Sequence, residues 1–489
     1  MTDYYVAAYF YDSQRKYQED NPSLMWQNPR KRNWTWSIDK GYHDWFPSYT
    51  ELSGQLLDSF FVETELTRAE LEERCRKSIF EKHQDKQSYK LLDYSAATSA
   101  LNPYEYPIHF KKDEGNQTIK KMVIFGDSLS DTGNLKHWVK LMPEYPYWYG
   151  RFTNGLTWNE YLSKETGITM FNWAYGGAKS DLINDFKPKE ILDYVKSGGR
   201  NVITGSMTTT INRYLDNGWL SGKKIDLTAA EETAYTLWIG ANDYLDKFDS
   251  EETLFNLIEY PNDIGGYEKV SDRATDNIIT NIKKLNDKGA KYFIIPNLPN
   301  VGKTPTIATV SYDFSRGSVK TREDLSAAIT NIVNLHNNKL KMKIDSLIEE
   351  RGEYLEIVYI DLFYDFDAIL ENKNPFTGDY FDAKFENEYY DIQSTGSSAI
   401  QIAKQSFQGG YLAEGITNAD WRAYASNNTS KTKDGSFNFL STFWDNVHPT
   451  SYAHSLIAYS FQYSMKEAGL ISSSLPKLED YRDRNIHLD

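Results

Sequence analysis

The chain has 489 residues, 40% of them apolar, which is enough for a large core and long enough for two domains. Its 54 basic and 69 acidic residues give a net charge of −15, which argues against nucleic acid and against strong docking on anionic lipid. The sequence contains no run of eighteen apolar residues, so no membrane-spanning helix is predicted. Its first residues show no signal-peptide pattern. The single cysteine, Cys75, leaves no partner for an internal disulfide and no basis for a cysteine zinc site.

Residues 1–118 are unusually rich in aromatic side chains. The opening stretch is strand-like and aromatic, and four tryptophans follow within twenty residues. The aromatic positions are Tyr4, Tyr5, Tyr9, Phe10, Tyr11, Trp26, Trp34, Trp36 and Trp45. They predict a small β-rich domain whose aromatic residues either build its core or present a surface to lipid or glycan.

A helix is predicted from about Leu66 to Glu81, with a capping box beginning at Thr67. Cys75 lies within it between basic residues, so it is either a structural thiol or one whose pKa its neighbours lower. The polar stretch 111–117 predicts the domain boundary, which places a smaller N-terminal domain at 1–118 and a second domain at 119–489.

Strands and helices alternate from Met122 onward. The predicted strands are Met122–Phe125, Ile168–Trp173, Tyr235–Ile239, Tyr292–Pro296 and Leu355–Ile360. The predicted helices are Leu156–Glu165, Asp276–Asp287, Glu323–Glu350 and Ser451–Ala468. This alternation predicts an α/β fold with a parallel sheet covered on both faces, a three-layer α/β/α arrangement. His336, on the apolar face of the long helix, is interpreted as a core or flanking residue.

One segment interrupts this alternation. Residues 372–441 are rich in Tyr, Asn, Ser, Gly and Asp and have little apolar periodicity. They form either a cover over the site, with scattered aromatic residues packing on substrate, or a surface elaboration that does not touch it. The aromatic residues concerned are Phe376, Tyr380, Phe381, Tyr389, Tyr390, Phe407, Tyr411 and Trp421.

The stretch Met122–Asn134 reads as a buried strand followed by a sharp turn. Gly126 permits the turn, and Ser128 then stands at the carboxyl end of the strand, where α/β sheets bind their ligands. Asp445 and His448 lie three residues apart before the last helix, a spacing that lets the carboxylate reach Nδ1 while Nε2 faces a serine. Ser128, His448 and Asp445 are therefore candidates for nucleophile, base and orienting acid.

The run from Phe125 to Asn134 resembles the nucleophile block of the GDSL family of lipases and esterases, also called SGNH hydrolases. Residues Phe171–Ala178 resemble its second block, which implies that Gly177, with Gly176 as the alternative, donates a backbone N–H to an oxyanion. Trp238–Tyr244 resembles the third block, which implies an amide donor at Asn242. The Ser128 N–H would be the third donor.

The match extends to one bacterial branch, the thermolabile hemolysin group. Gly150–Gly155 with Trp158, and Asn172–Ala174, resemble that branch, which includes phospholipases, lysophospholipases and acyltransferases. The resemblance implies a secreted or exported enzyme that acts on phospholipid or lysophospholipid at a membrane or micelle surface, with no cofactor. Arg151 and Asn154 are candidates either for substrate binding or for packing. Acyltransferase members can carry a disulfide-closed loop that a single cysteine cannot form, so the resemblance favours hydrolysis over acyl transfer.

Asp127 and Asp131 are paired carboxylates of the kind that can hold a metal, but no histidine cluster accompanies them and the chemistry needs no metal, so hydrogen bonding around the nucleophile turn is the favoured role. Two alternatives stay open at this point. The reaction could be that of a carbohydrate or short-chain acetylesterase, because one fold hosts many activities. The protein could also keep the fold as a non-catalytic binding protein.

Overall fold

The computed structural model describes residues 2–12, 43–57, 61–82, 84–87, 89–98, 106, 108–111, 117–135, 143, 147, 150–181, 206–216, 227–371, 373, 375–376 and 442–475. Trp26, Trp34 and Trp36 lie outside these ranges. So does nearly all of the polar segment 372–441, and its predicted role as a cover stays untested. Of its aromatic residues only Phe376 is described, and its ring packs on Tyr459 and Tyr463 of the last helix.

A first sheet is built from the N-terminal residues. Its strands are β1 (Thr2–Asp12), β2 (His43–Leu57), β3 (Phe61–Thr64), β4 (Tyr89–Ala97) and β5 (Ile108–Phe110). They lie in the order β4-β1-β2-β3-β5, antiparallel except for the β3–β5 pair. The predicted helix forms as α1 (Arg68–Lys82), and Thr67 exchanges hydrogen bonds with Glu70, as the capping box predicts.

The described core of this sheet is mainly aliphatic. Helix α1 contributes Leu71, Cys75 and Ile79, which pack with strand residues such as Val6 and Leu52. Buried aromatic residues are represented by Tyr4 and Phe110, whereas Tyr5 is exposed. The expectation of an aromatic core is therefore only partly right for the described residues, because the alternation of β1 turns Tyr4 inward and Tyr5 outward. Cys75 is buried, as a structural thiol would be.

A second sheet of five parallel strands follows. It comprises β6 (Lys121–Gly126), β7 (Thr169–Asn172), β8 (Thr233–Trp238), β9 (Tyr292–Pro296) and β10 (Glu356–Ile360), in the order β10-β9-β8-β6-β7. The helices associated with it are α2 (Trp158–Thr166), α3 (Met207–Asp216), α4 (Ala241–Leu245), α5 (Glu251–Glu259), α6 (Tyr267–Asn286), α7 (Pro305–Thr309), α8 (Arg322–Arg351), α9 (Leu362–Leu370) and α10 (Ser451–Glu467). The α/β class and the parallel sheet are confirmed. The domain boundary at 118 remains a prediction.

Alternate residues of β6, an interior strand of this sheet, face two separate cores. Met122 and Ile124 pack with α2, α9 and α10, whereas Val123 and Phe125 pack with α3, α6 and the C-terminal half of α8. Since successive side chains of a strand point to opposite faces, this is the pattern of a sheet buried on both sides. Helices α2, α9 and α10 on one face and α3, α6 and α8 on the other therefore form the two outer layers of the predicted α/β/α arrangement.

Two predicted helices deserve comparison with the structure. Helix α6 begins at Tyr267, nine residues before the predicted start, because Val270 and Ala274 continue its buried face between charged residues. Helix α8 has nearly the predicted bounds, and Thr321 and Asp324 cap its start. His336 is fully buried on α8, where Nδ1 lies 3.0 Å from the Tyr244 hydroxyl, so its interpretation as a core residue is confirmed. Burial lowers the pKa of His336 to about 3.

Candidate active site

The turn after β6 places Ser128 at the carboxyl edge of the sheet. Gly126 is required there because a Cβ atom at this position would lie 2.9 Å from the Trp238 carbonyl oxygen on the neighbouring strand β8. The N–H groups of Ser130 and Asp131 donate to the Asp127 carbonyl at 3.1 and 3.0 Å, which closes the turn. Ser128 is thus presented above the strand end with its hydroxyl partly exposed.

The two carboxylates beside Ser128 hold backbone N–H groups. Asp127 Oδ1 accepts from the Leu129 N–H at 3.0 Å. Asp131 accepts from the N–H groups of Gly133 and Asn134 and, across the site, from that of Gly176 at 2.8 Å. The prediction that these residues serve hydrogen bonding around the turn is confirmed. Among the described residues, no cluster of three or more His, Cys, Asp or Glu could hold a metal ion.

Burial dominates the ionisation of both carboxyl groups. It raises the pKa of Asp127 and of Asp131 to about 6, against an ordinary value of 3.8, although the N–H donors oppose the shift. Asp127 also faces a second buried carboxylate, Asp243, which adds to the rise. The nucleophile turn therefore contains two buried acids that are harder to ionise than exposed ones.

His448 and Asp445 meet Ser128 from the loop before α10. His448 Nε2 lies 2.8 Å from Ser128 Oγ, and His448 Nδ1 lies 2.6 Å from Asp445 Oδ2. The other carboxylate oxygen, Asp445 Oδ1, accepts from the N–H groups of Val447 and His448 at 2.8 and 2.7 Å. Although burial opposes ionisation, the His448 charge and these donors hold the pKa of Asp445 below its usual value. The three residues are brought together in the order that general-base activation of a serine requires.

The neighbouring glycines after β7 differ in the hydrogen bonds they already make. The Gly176 N–H is occupied by Asp131, whereas Gly177, with φ of 79°, donates to no acceptor among the described residues. The same holds for the Ser128 N–H within the described part of the chain. Of the two alternatives, Gly177 is the glycine whose N–H remains available to a ligand.

Asn242 is the second residue of helix α4 and is buried beside the nucleophile turn. Its Nδ2 donates to the Ala178 carbonyl at 3.0 Å and makes a longer contact of 3.4 Å with Asp127 Oδ2. The next residue, Asp243, accepts from the Ser180 N–H and hydroxyl at 3.0 and 2.8 Å. These bonds fix α4 to the loop that carries Gly177, so both predicted donors belong to one hydrogen-bonded unit.

Arg151 and Asn154 occupy different surroundings from those predicted for substrate-binding residues. The buried Arg151 guanidinium pairs with Glu160 through both Nε, at 3.2 Å, and Nη2. Asn154 Oδ1 accepts from the Ser451 N–H at 2.8 Å at the start of α10. Neither residue lines the cleft at Ser128. The structure therefore favours the packing alternative for both.

A largely apolar cleft opens beside Ser128 and His448. It measures about 680 Å³ including the part open to solvent. Its apolar lining comes from α4, the loop after β9, α9 and the segment around His448: Leu129, Trp238, Ala241, Leu245, Pro299, Val301, Leu362, Phe366, Phe443, Val447, Pro449 and Ile457. Asn242 also lines it, whereas Gly177 does not. Such a cleft can hold a hydrocarbon chain whose reacting end lies at Ser128.

Sequence reasoning missed two residues that contact the histidine and its acid. The buried Tyr147 hydroxyl donates to Asp445 Oδ2 at 2.6 Å, and the Phe152 ring lies 5.1 Å from the His448 ring. Phe152 falls within the Gly150–Gly155 block, which marked the region without giving its role. Tyr147 carries no comparable signal, because about 300 residues separate it from Asp445.

Comparison with known proteins identifies the family. Residues 122–461 match the family described as GDSL-like lipase/acylhydrolase, which covers well over half of the chain. The chain belongs to this family. Together with the α/β fold, this membership makes it a lipolytic carboxylic ester hydrolase in the broad sense.

Individual relatives are distant. A thermolabile hemolysin of Vibrio parahaemolyticus serotype O3:K6 is 25% identical, over 62% of this chain and 59% of its own length. A phosphatidylcholine-sterol acyltransferase of Aeromonas hydrophila is 24% identical, over 71% of this chain and 90% of its own. Among solved structures, the α/β hydrolase LAE5 from the Lake Arreo metagenome in Spain has a TM-score of 0.30 at 13% identity, covering 72% of this chain and 97% of that one.

Proposed function

We propose that the protein cleaves carboxylic esters of phospholipids or lysophospholipids through an acyl-enzyme on Ser128. The observation that carries this proposal is the 2.8 Å contact of Ser128 Oγ with His448 Nε2 at the edge of the apolar cleft. A serine hydroxyl that is hydrogen-bonded to an imidazole is a nucleophile next to its general base. The cleft can bury the acyl chain away from solvent.

In the first half of the reaction, Ser128 Oγ attacks the ester carbonyl carbon while its proton passes to His448 Nε2. Asp445 stabilises the imidazolium and keeps Nδ1 protonated. The carbonyl oxygen becomes an oxyanion that accepts hydrogen bonds from the Ser128 and Gly177 N–H groups and from Asn242 Nδ2, which gives up its long 3.4 Å contact with Asp127 Oδ2 and keeps its bond to Ala178. When the intermediate collapses, the C–O bond to the alcohol breaks and His448 gives its proton to the departing oxygen.

Water completes the cycle. It loses a proton to His448 Nε2 as its oxygen attacks the acyl-serine carbonyl, and collapse returns that proton to Ser128 Oγ and releases the fatty acid. An alcohol in place of water would accept the acyl group by the same steps. The Aeromonas relative is named as a phosphatidylcholine-sterol acyltransferase, which supports acyl transfer as a side activity.

The lining of the cleft favours a long acyl chain over an acetyl group. Burial of each methylene contributes about 0.8 kcal/mol, whereas an acetyl ester would leave the side chains of α9 and Ile457 without a partner. The runner-up, a carbohydrate or short-chain acetylesterase, needs polar groups around a sugar.

A phospholipid bilayer or micelle is then the partner surface, and export from the cell follows from the resemblance to the thermolabile hemolysin group.

The test is a panel of esters combined with active-site labelling. Phosphatidylcholine, lysophosphatidylcholine, p-nitrophenyl acetate, p-nitrophenyl palmitate and acetylated xylan are assayed with wild type and Ser128→Ala, with and without cholesterol as acceptor. We expect Ser128-dependent release of long-chain fatty acid, and organophosphate labelling at Ser128. Preference for acetylated xylan would support the runner-up, and labelling at another residue would refute the assignment of the nucleophile.

A further inference from the structure

The acid of the triad has a partner that comes from far away in the sequence. Tyr147 is 3% exposed, and its hydroxyl donates to Asp445 Oδ2 at 2.6 Å. The same oxygen accepts a hydrogen bond from His448 Nδ1–H at 2.6 Å, while Oδ1 accepts from two backbone N–H groups. Without Tyr147, His448 Nδ1 would be the remaining donor to Oδ2 among the described residues.

The Phe152 ring packs near both the His448 ring and the Tyr147 ring. Phe152 lies 5.1 Å from the His448 ring at an interplanar angle of 31°, and 6.3 Å from the Tyr147 ring. Gly176 makes room for Phe152, since a Cβ atom at position 176 would overlap two carbons of the phenyl ring. The imidazole therefore has a neighbour on its face as well as a partner at each nitrogen.

The residues around Phe152 are fixed to the rest of the fold. Arg151 is held by Glu160 of α2, and a β-bridge joins it to Thr132 after the nucleophile turn. Asn154 binds the N–H of Ser451, three residues after His448. The Gly150–Gly155 block thus ties the nucleophile turn, α2 and the histidine loop together, which explains the motif without a contact to substrate.

We infer that Tyr147 is a positioning residue of the active site, which acts through Asp445 to keep His448 directed at Ser128. The inference rests on the proposed serine mechanism. Tyr147 forms and breaks no covalent bond during turnover. Its O–H holds Asp445 Oδ2 in line with His448 Nδ1, so that the imidazole already has the orientation required for proton transfer before each reaction. Phe152 limits tilting of the same ring.

Tyr147→Phe is the direct test, because it removes one oxygen and keeps the ring that packs on Phe152. We expect kcat to fall about 10-fold, the scale of one hydrogen bond to a charged group, with KM unchanged. Rates are expressed per active site titrated with an organophosphate, so any misfolded fraction drops out. Tyr235→Phe is the matched control, since it removes a buried hydroxyl that lies 3.1 Å from the Tyr214 hydroxyl in the core between the sheet and helices α3, α6 and α8.

The pH profile separates positioning from a purely structural role. Among the described residues, His448 and Tyr147 are the titratable groups that bond to Asp445. The hydrogen bond from Tyr147 is one of the contacts that lower the pKa of the Asp445 carboxyl group, which has to be ionised to hold His448. In Tyr147→Phe the acid limb of kcat/KM therefore moves to higher pH, whereas loss of fold stability alone would leave its position unchanged.

A double-mutant cycle with Asp445→Asn completes the test. If Tyr147 acts through Asp445, adding Tyr147→Phe to Asp445→Asn should change the rate less than 2-fold, because the coupled effect is already lost. Wild-type kcat and pH profile in a folded Tyr147→Phe variant would overturn the inference. Failure of the proposed function looks different: wild type itself would then show no Ser128-dependent esterase activity.

Discussion

Asn242 Nδ2 lies 3.0 Å from the carbonyl oxygen of Ala178, the residue that follows Gly177. The side-chain amide proposed to stabilise the oxyanion is therefore attached to the loop that supplies the backbone donor. A displacement of either residue would move the other. This coupling makes the oxyanion site a preformed unit rather than two groups that assemble on substrate.

Asn242→Ala should lower kcat about 10²–10³-fold with a small change in KM, because the lost donor acts on charge that develops in the transition state. Steady-state kinetics on a p-nitrophenyl ester measures this. The variant also leaves the Ala178 carbonyl without its partner, so circular dichroism must show a wild-type fold. A change confined to KM would contradict the assigned role.

Leu245→Trp should narrow the apolar cleft and reduce its preference for long chains. Leu245 lines the cleft, and a larger side chain there would exclude part of a hydrocarbon chain. Burial of one methylene contributes about 0.8 kcal/mol, so excluding three methylenes of the acyl chain from the cleft lowers the ratio of kcat/KM for long esters to kcat/KM for short esters about 50-fold. Leu215→Trp is the control, because Leu215 is half-buried against the core between the sheet and helices α3, α6 and α8, and it should leave the ratio unchanged. An unaltered ratio in Leu245→Trp would place the acyl chain elsewhere.

Asp127→Asn should stabilise the protein at alkaline pH. Since burial raises the pKa of Asp127 to about 6, the folded state binds its proton more tightly than the unfolded state, and this stabilisation is lost as pH rises through 6. The charged carboxylate then costs up to about 3 kcal/mol at pH 8. Urea unfolding at pH 4.5 and 8 should show a gain at pH 8 that is much smaller at pH 4.5. An equal effect at both values would mean that Asp127 ionises normally.

Arg151→Met should destabilise the fold and leave KM nearly unchanged. It removes the partner of Glu160 in a buried pair, and breaking such a pair typically costs about 3–5 kcal/mol. Lys283→Met, in the exposed pair with Glu350, is the control, with an expected loss of about 0–1 kcal/mol. Chemical denaturation and Michaelis kinetics distinguish the alternatives, because a substrate-binding arginine would raise KM without a large loss of stability.

A truncated protein beginning at Gln117 should retain turnover of soluble short-chain esters. Each proposed catalytic residue lies beyond residue 121, and the Gln117 amide bonds to the Thr166 carbonyl at 2.8 Å, so the cut should precede Gln117. If residues 1–118 present aggregated lipid, activity on vesicles should fall more than activity on p-nitrophenyl acetate. Complete loss of short-ester turnover in a folded truncation would show that the N-terminal region completes the site.

The sequence by itself determined the α/β class, the positions of the five parallel strands and of five of the ten described helices, and the triad candidates. These features depend on local patterns: Tyr292–Pro296 is an apolar run of the length typical of a buried strand, and Asp445 and His448 are only three residues apart. The early start of α6 was missed because its first turns alternate buried and charged residues, a pattern that packing against α8 resolves.

Tertiary structure decided what depends on contacts between distant residues. Gly177 and Gly176 are equivalent as a pair of letters, and the bond from Gly176 to Asp131, 45 residues away, distinguishes them. Asn154 is a packing residue because folding brings the Ser451 N–H, 297 positions away, to its side-chain oxygen. The bond from Tyr147 to Asp445 spans 298 positions, and no local rule predicts it. Hydrogen bonds act over about 3 Å, so which groups they join depends on how the whole chain packs.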